Sequence, residues 1–106
     1  MNKWQQQAAD FAQKRNLTHD PGVYALDLLS ELGEVAKIIL TATDYGKRPF
    51  PDPPDPPPPD LSGELGDVLY SLCQLANAAH IDLDTALADT LAKYEARWQT
   101  KGHMAS

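Results

Sequence analysis

Eight of the nine prolines of this 106-residue chain fall between Lys47 and Asp60, in the run Pro49-Phe50-Pro51-Asp52-Pro53-Pro54-Asp55-Pro56-Pro57-Pro58-Pro59. Proline fixes its own φ and carries no amide hydrogen, so neither a helix nor a sheet interior can run through such a segment. Residues 47–60 must therefore be an extended loop, and the two arms on either side must pack across it. Both arms have helical periodicity. Trp4, Ala8, Phe11 and Ala12 recur at helical spacing and define a first helix, closed by Asn16 and the Thr18-His19-Asp20 turn. Asp20 offers an N-cap and Pro21 a first helical residue, after which Ala25, Leu28, Leu32, Val35 and Ile39 predict a second helix to about Ala42.

Beyond the prolines, Asp60 is a fresh N-cap. A third helix is predicted from Leu61 to about Ala79, with Leu65, Val68, Leu69, Leu72, Leu75 and Ala76 in its apolar set. It has no acidic, Lys or Arg residue from Val68 to Ile81, and a helix apolar nearly all round belongs in an interior, under its neighbours and under another subunit. Asp82 or Asp84 caps a last helix whose stripe is Leu83, Leu87, Leu91, Tyr94 and Trp98. No period-two pattern is present. The expectation is an all-α, four-helix bundle-type subunit with a long Pro-rich loop between helices two and three, assembled into an oligomer because a chain this short buries little core alone. The domain spans 1–101, and Gly102-His103-Met104-Ala105-Ser106 reads as a disordered tail, a frayed end or a remnant of cloning.

Fifteen acidic residues against nine basic ones give a net charge of −6, which argues against a general grip on nucleic acid or anionic membranes. No signal-peptide apolar region opens the chain and no apolar stretch approaches the roughly 20 residues of a membrane span, so a cytoplasmic protein is expected. The single Cys73, in an apolar run, reads as a small core residue.

The acids themselves are patterned. Glu31-Leu32-Gly33-Glu34-Val35 and Glu64-Leu65-Gly66-Asp67-Val68 are near-identical, and each sets two carboxylates at i and i+3 on one helix face. Packed antiparallel, helices two and three would bring these two clamps face to face. Carboxylates so gathered repel one another and need protons or cations, and all-oxygen ligands favour hard ions such as Mg²⁺ or Mn²⁺. Glycine inside a helix costs about 1 kcal/mol relative to alanine, so its recurrence at 33 and 66 suggests close helix approach beside the acids. Taken singly, each pair is equally well a solvated acidic face, and Glu64 and Asp67 also suit the start of a helix. No histidine stands at clamp spacing, which counts against a di-iron carboxylate site.

In this order and spacing, Glu31-x-x-Glu34 and Glu64-x-x-Asp67 resemble the metal motifs of the MazG-like nucleoside triphosphate pyrophosphohydrolases. The resemblance continues through Leu65-Gly66-Asp67-Val68-Leu69-Tyr70, Leu75-Ala76-Asn77, Ile81-Asp82-Leu83 and Lys93-x-Glu95-x-Arg97-Trp98, and covers residues 20 to 100. It implies a helical homodimer or dimer of dimers that converts NTP and water to NMP and pyrophosphate in nucleotide-pool housecleaning. Glu31, Glu34, Glu64 and Asp67 would be Mg²⁺ ligands, with Glu34 and Glu31 catalytic, and Lys93, Arg97, Asn77 and Tyr70 would contact substrate. The family's first motif usually opens with two adjacent glutamates, whereas Ser30 precedes Glu31 here, and a serine hydroxyl is no general base at neutral pH. That task falls to Glu34 or to hydroxide on the metal. Trp4, Phe11, Tyr24, Tyr45 and Phe50 are the candidates for an aromatic wall against the base, though Trp4 and Phe11 also suit a core.

A different reading makes the chain a non-catalytic helical dimerisation module that presents its polyproline loop to a partner's aromatic groove. Pro53-x-x-Pro56 and Pro56-x-x-Pro59 meet the minimal pattern, but Asp52, Asp55 and Asp60 crowd it and only Lys47 and Arg48 supply positive charge before it.

Overall fold

The computed structural model describes residues 2–102; residues 103–106 of the expected tail lie outside the described residues. Four helices follow in order, α1 (Lys3–Lys14), α2 (Pro21–Ala42), α3 (Leu61–Ala78) and α4 (Leu83–Lys101), and no strand occurs among the described residues. Residues 43–60 contain no helix, as the prolines require.

The local chemistry explains where the helices start and stop. Asn2 caps α1 by accepting from the Gln5 amide at 2.7 Å, and Asp82 caps α4 through the Asp84 amide at 3.0 Å. Asp20 and Asp60 stand at the N-cap positions expected of them, but neither side chain makes the capping bond, and Asp60 has a left-handed backbone, φ 68°. The first three helices all end with a left-handed residue, Asn16, Asp44 and His80 in turn. Each is followed by an amide that reaches back to the carbonyl five residues earlier: Leu17 to Ala12, Tyr45 to Leu40 and Ile81 to Ala76.

α3 is the central element, packed against both α1 and α2, with Ser71, Cys73, Gln74 and Ala76 buried. The Cys73 thiol is free, and burial raises its pKa. A chain of amides ties the pieces together. Gln5, 1% exposed, donates to Asn77 Oδ1 at 3.0 Å and to the Ile81 carbonyl at 2.8 Å, while its Oε1 accepts from the Leu83 amide at 2.8 Å. Asn77 Nδ2 donates in turn to the Gln5 carbonyl and to Gln74 Oε1. Gln74 donates to the hydroxyl of buried Tyr24, which itself donates to the Leu17 carbonyl. One continuous network thus joins α1, α3, the start of α4 and the start of α2.

The bundle is more open than the sequence suggests. The radius of gyration is 16.9 Å, against about 13 Å for a compact chain of this length. α4 packs broadly against none of the other helices and buries no residue, so its stripe, expected to be covered, is largely exposed, with Leu87 at 58% and Trp98 at 56%. On α2 the half-buried face runs through Leu28, Glu31, Val35, Ile38, Ile39 and Ala42; it shares Leu28, Val35 and Ile39 with the stripe read in the sequence, while Ala25 and Leu32 of that stripe are exposed. A second apolar stripe, Leu26, Leu29, Gly33, Ala36 and Leu40, faces outward, with Leu26 and Leu29 each 68% exposed.

The amide network sets a stability test. Gln5→Ala strands a buried amide and two acceptors, and should lower unfolding stability by about 3 kcal/mol in urea titrations. Gln6→Ala, on the exposed side of the same helix, should leave it within about 0.5 kcal/mol of wild type.

Candidate metal centre

The two pentapeptides meet at the α2–α3 seam. Glu31 lies on the α2 face turned to α3, and Glu64, in the first turn of α3, lies on the face turned back. Both are half-buried, at positions where a helix pair ordinarily places an apolar side chain. Asp67, one turn on, is exposed. Glu31, Glu64 and Asp67 each offer one carboxylate oxygen to a group whose atoms all lie within 4.8 Å of one another. Glu34 is not in that triad; it is exposed, and lines a cavity that it shares with Glu64.

The electrostatics of the cluster centre on Glu64, whose pKa is raised above 4.5. The cause is first a hydrogen bond with Glu31, then desolvation, then the charges of Glu31, Asp67 and Glu34. Glu64 Oε2 is shut off from solvent and has no hydrogen-bond partner. Buried polar atoms are nearly always paired, so an orphaned oxygen on a carboxylate clustered with two others suits a cation. An all-oxygen donor set fits a hard ion, Mg²⁺ or Mn²⁺, better than zinc.

The glycines need a different reading. A Cβ at Gly33 or Gly66 would meet nothing within 4 Å, so neither glycine is required by close approach within this chain. Gly33 belongs instead to the outward apolar stripe of α2.

Four other expected site residues lie elsewhere. Asn77 has both its amide atoms engaged in the network with Gln5 and Gln74, which assigns it to the frame of the fold. Tyr70 stacks edge-on with Phe11, centroids 6.0 Å apart, in a groove between α1 and α3 that also includes Trp4 and Gly66. Lys93, with its ammonium 5.7 Å from the ring of Tyr94, and Arg97 are on α4, outside the cavity beside the acids.

That cavity, about 490 Å³ in volume, lies between the second half of α2 and the proline-rich loop, with Glu34 and Glu64 both in its wall. None of the five aromatic candidates lines it. Tyr24 is buried in the amide network, Phe11 packs between Arg15 and Tyr70, and Trp4 and Tyr45 are exposed. Prolines stand where an aromatic wall was expected. Lys37, which also lines this cavity one turn beyond Glu34, is a cation that the motif reading passed over. Its signal was the i, i+3 spacing from Glu34 along the helix.

The raised pKa of Glu64 has a definite consequence for stability. Folding favours the protonated carboxyl, so the contribution is present below the ordinary carboxylate range and is lost as pH rises through the folded pKa. Without divalent cations, Glu64→Gln should therefore melt higher than wild type at neutral pH, with the gap narrowing as pH falls through the raised folded pKa and closed once pH is below 4.5. Saturating Mg²⁺ should raise the melting point of the wild type and leave the variant behind.

The MazG nucleotide pyrophosphohydrolase domain matches residues 20–101, from the N-cap of α2 to the end of α4. No curated protein and no solved structure matches the chain. The family match takes in both clamps, the proline-rich loop and α4, well over half of the sequence, and the chain accordingly belongs to the MazG nucleotide pyrophosphohydrolase domain family.

Proposed function

We propose that this protein is a Mg²⁺-dependent nucleoside triphosphate pyrophosphohydrolase, with Mn²⁺ able to substitute, that cleaves (d)NTP to (d)NMP and pyrophosphate in nucleotide-pool housecleaning. The observation that carries the reading is the meeting of Glu31, Glu64 and Asp67 from two separated helices within 4.8 Å, beside a cavity large enough for a small molecule. Glu31, Glu64 and Asp67 would hold the cation. Bound there, it would neutralise the triphosphate and favour the departure of pyrophosphate. In the hydrolysis, a water oxygen bonds to the α-phosphorus, the bond from that phosphorus to the bridging oxygen breaks, and its electron pair leaves with pyrophosphate. Glu34 is the carboxylate left outside the oxygen triad and open to solvent, so it is the group assigned to receive the water's proton, the task Ser30 cannot perform.

The assembly is part of the proposal. The exposed stripes of α2 and α4 are apolar surface that a second copy of the chain would cover, as a homodimer or a dimer of dimers. Lys93 and Arg97, away from the cavity in their own chain, are assigned to the phosphates within that assembly. Asn77 has no place in this scheme because its amide is already used, and Tyr70 is assigned to substrate only through its groove beside α1. The pattern prolines Pro53, Pro56 and Pro59 are exposed, but presentation of a polyproline ligand is disfavoured by the charge around them, Asp52, Asp55 and Asp60, where such ligands commonly carry basic residues. No helix among the described residues is long and apolar enough to cross a membrane.

Two measurements test the reading. Purified protein with Mg²⁺ and a panel of ribo- and deoxyribonucleoside triphosphates should release pyrophosphate and not orthophosphate. Glu34→Gln and Asp67→Asn should each lower kcat by at least about 100-fold without loss of helicity, and full turnover in either would sink the site. In light-scattering chromatography the wild type should run as a multiple of 11.6 kDa, and Leu26→Glu with Leu29→Glu should shift it toward 11.6 kDa.

A further inference from the structure

The proline-rich loop is not used by the cation site, yet it forms much of the wall of the cavity next to it. Pro51, Pro54, Pro58 and neighbouring prolines stand on one side, Ile38 and Ala42 of α2 on the other, and Glu34 and Glu64 mark the end toward the acids. With a divalent cation held by the acids, a ligand that suits this lining has an apolar part and an anionic part joined end to end. At about 490 Å³ the cavity falls within the roughly 300–1,000 Å³ usual for small-molecule sites.

We propose that the proline-rich loop is the nucleoside wall of the active site: the base and sugar lie between the prolines and Ile38, while the phosphates extend toward Glu34 and Glu64. The assignment rests on the hydrolase reading above and adds a specificity-determining element to it. Proline rings give a rigid surface with no rotamers to freeze, so packing a heterocycle against them costs little ordering entropy. Their rings also carry no side-chain donor or acceptor. The polar side chains on this wall away from the acids are those of Lys37, Thr41 and Asp60. The Asp60 carboxylate is not used to cap α3, and Thr41 is exposed one turn beyond Ile38, so both are placed to meet sugar hydroxyls. A wall so poor in fixed hydrogen-bonding groups discriminates weakly between bases, because apolar contacts alone rarely separate ligands of similar shape. The substrate class is therefore nucleoside triphosphates with broad base tolerance.

The test compares the full-length wild type with Pro54→Gly/Pro58→Gly, measuring binding by calorimetry in Mg²⁺. Two ligands are used: a non-hydrolysable nucleoside triphosphate and inorganic tripolyphosphate, which lacks the nucleoside. The variant should bind the nucleotide about tenfold more weakly, a loss of ~1.4 kcal/mol, and bind tripolyphosphate as wild type does. Wild-type affinities for adenine, guanine, cytosine and thymine nucleotides should agree within about tenfold. Should the double variant misfold, Ile38→Trp, which narrows the cavity from the α2 side, replaces it with the same expected split. Equal weakening of both ligands, no weakening of either, or a selective nucleotide loss produced by Trp4→Ala instead would overturn the assignment. Failure of the wild type to bind either ligand would overturn the hydrolase reading itself, and this inference with it.

Discussion

The seam between α2 and α3 carries charge where helix packing normally places hydrocarbon. Glu31 and Glu64 occupy inward-facing positions flanked along the same faces by Leu28, Val35, Leu61 and Val68, so the apolar contacts that hold the two helices together also press two carboxylates toward each other. The strain has two outlets, a shared proton or a bound cation. The raised pKa of Glu64 is the first, and its orphaned Oε2, on a carboxylate clustered with those of Glu31 and Asp67, is the feature that suits the second. Everything assigned to the site follows from where this seam lies: the cavity opens from it, the proline-rich loop spans it, and Glu34 stands just outside it.

Around the seam, polar bonds do much of the work of fixing the helices relative to one another. The buried apolar side chains are few and small, Ala8, Ala12, Cys73 and Ala76 together with Tyr24, and the amides of Gln5, Gln74 and Asn77 do much of the joining. Such a network fixes one arrangement of α1, α2 and α3 because each group has a partner that no other register supplies. The larger apolar side chains, Leu26, Leu29, Leu87, Leu91 and Trp98, are exposed instead. Exposed hydrophobic surface of this extent is the physical basis for the proposal that the chain is a subunit.

Much of this was legible in the residues. The prolines located the loop, the N-cap aspartates and the apolar rhythm located helices two and three to within a residue and the start of helix four, the rhythm alone located helix one, and the repeated pentapeptide located the acids. Three things were not. Gln5 sits in a run of three glutamines, and only its spacing of three and seven from Ala8 and Ala12 marks it as inward-facing. The facing of α2 was only partly legible: Leu28, Val35 and Ile39 of the expected stripe are half-buried but Ala25 and Leu32 are exposed, because that helix has two apolar stripes and periodicity cannot say where one ends and the other begins. The same ambiguity produced the expectation that Gly33 and Gly66 serve contact between α2 and α3, where the structure leaves open space. The role of the prolines in walling a cavity was hidden for another reason: composition fixes the stiffness of a loop but not where it folds.

Binding of a cation by the seam acids is read directly by Mn²⁺ electron paramagnetic resonance. Titrated into the wild-type protein, Mn²⁺ should lose the intensity of its free six-line spectrum in proportion to protein added, and Mg²⁺ should restore it by competition. With Asp67→Asn or Glu64→Gln the free signal should persist at the same concentrations. A wild-type titration indistinguishable from buffer, or variants that bind Mn²⁺ as the wild type does, would contradict the account.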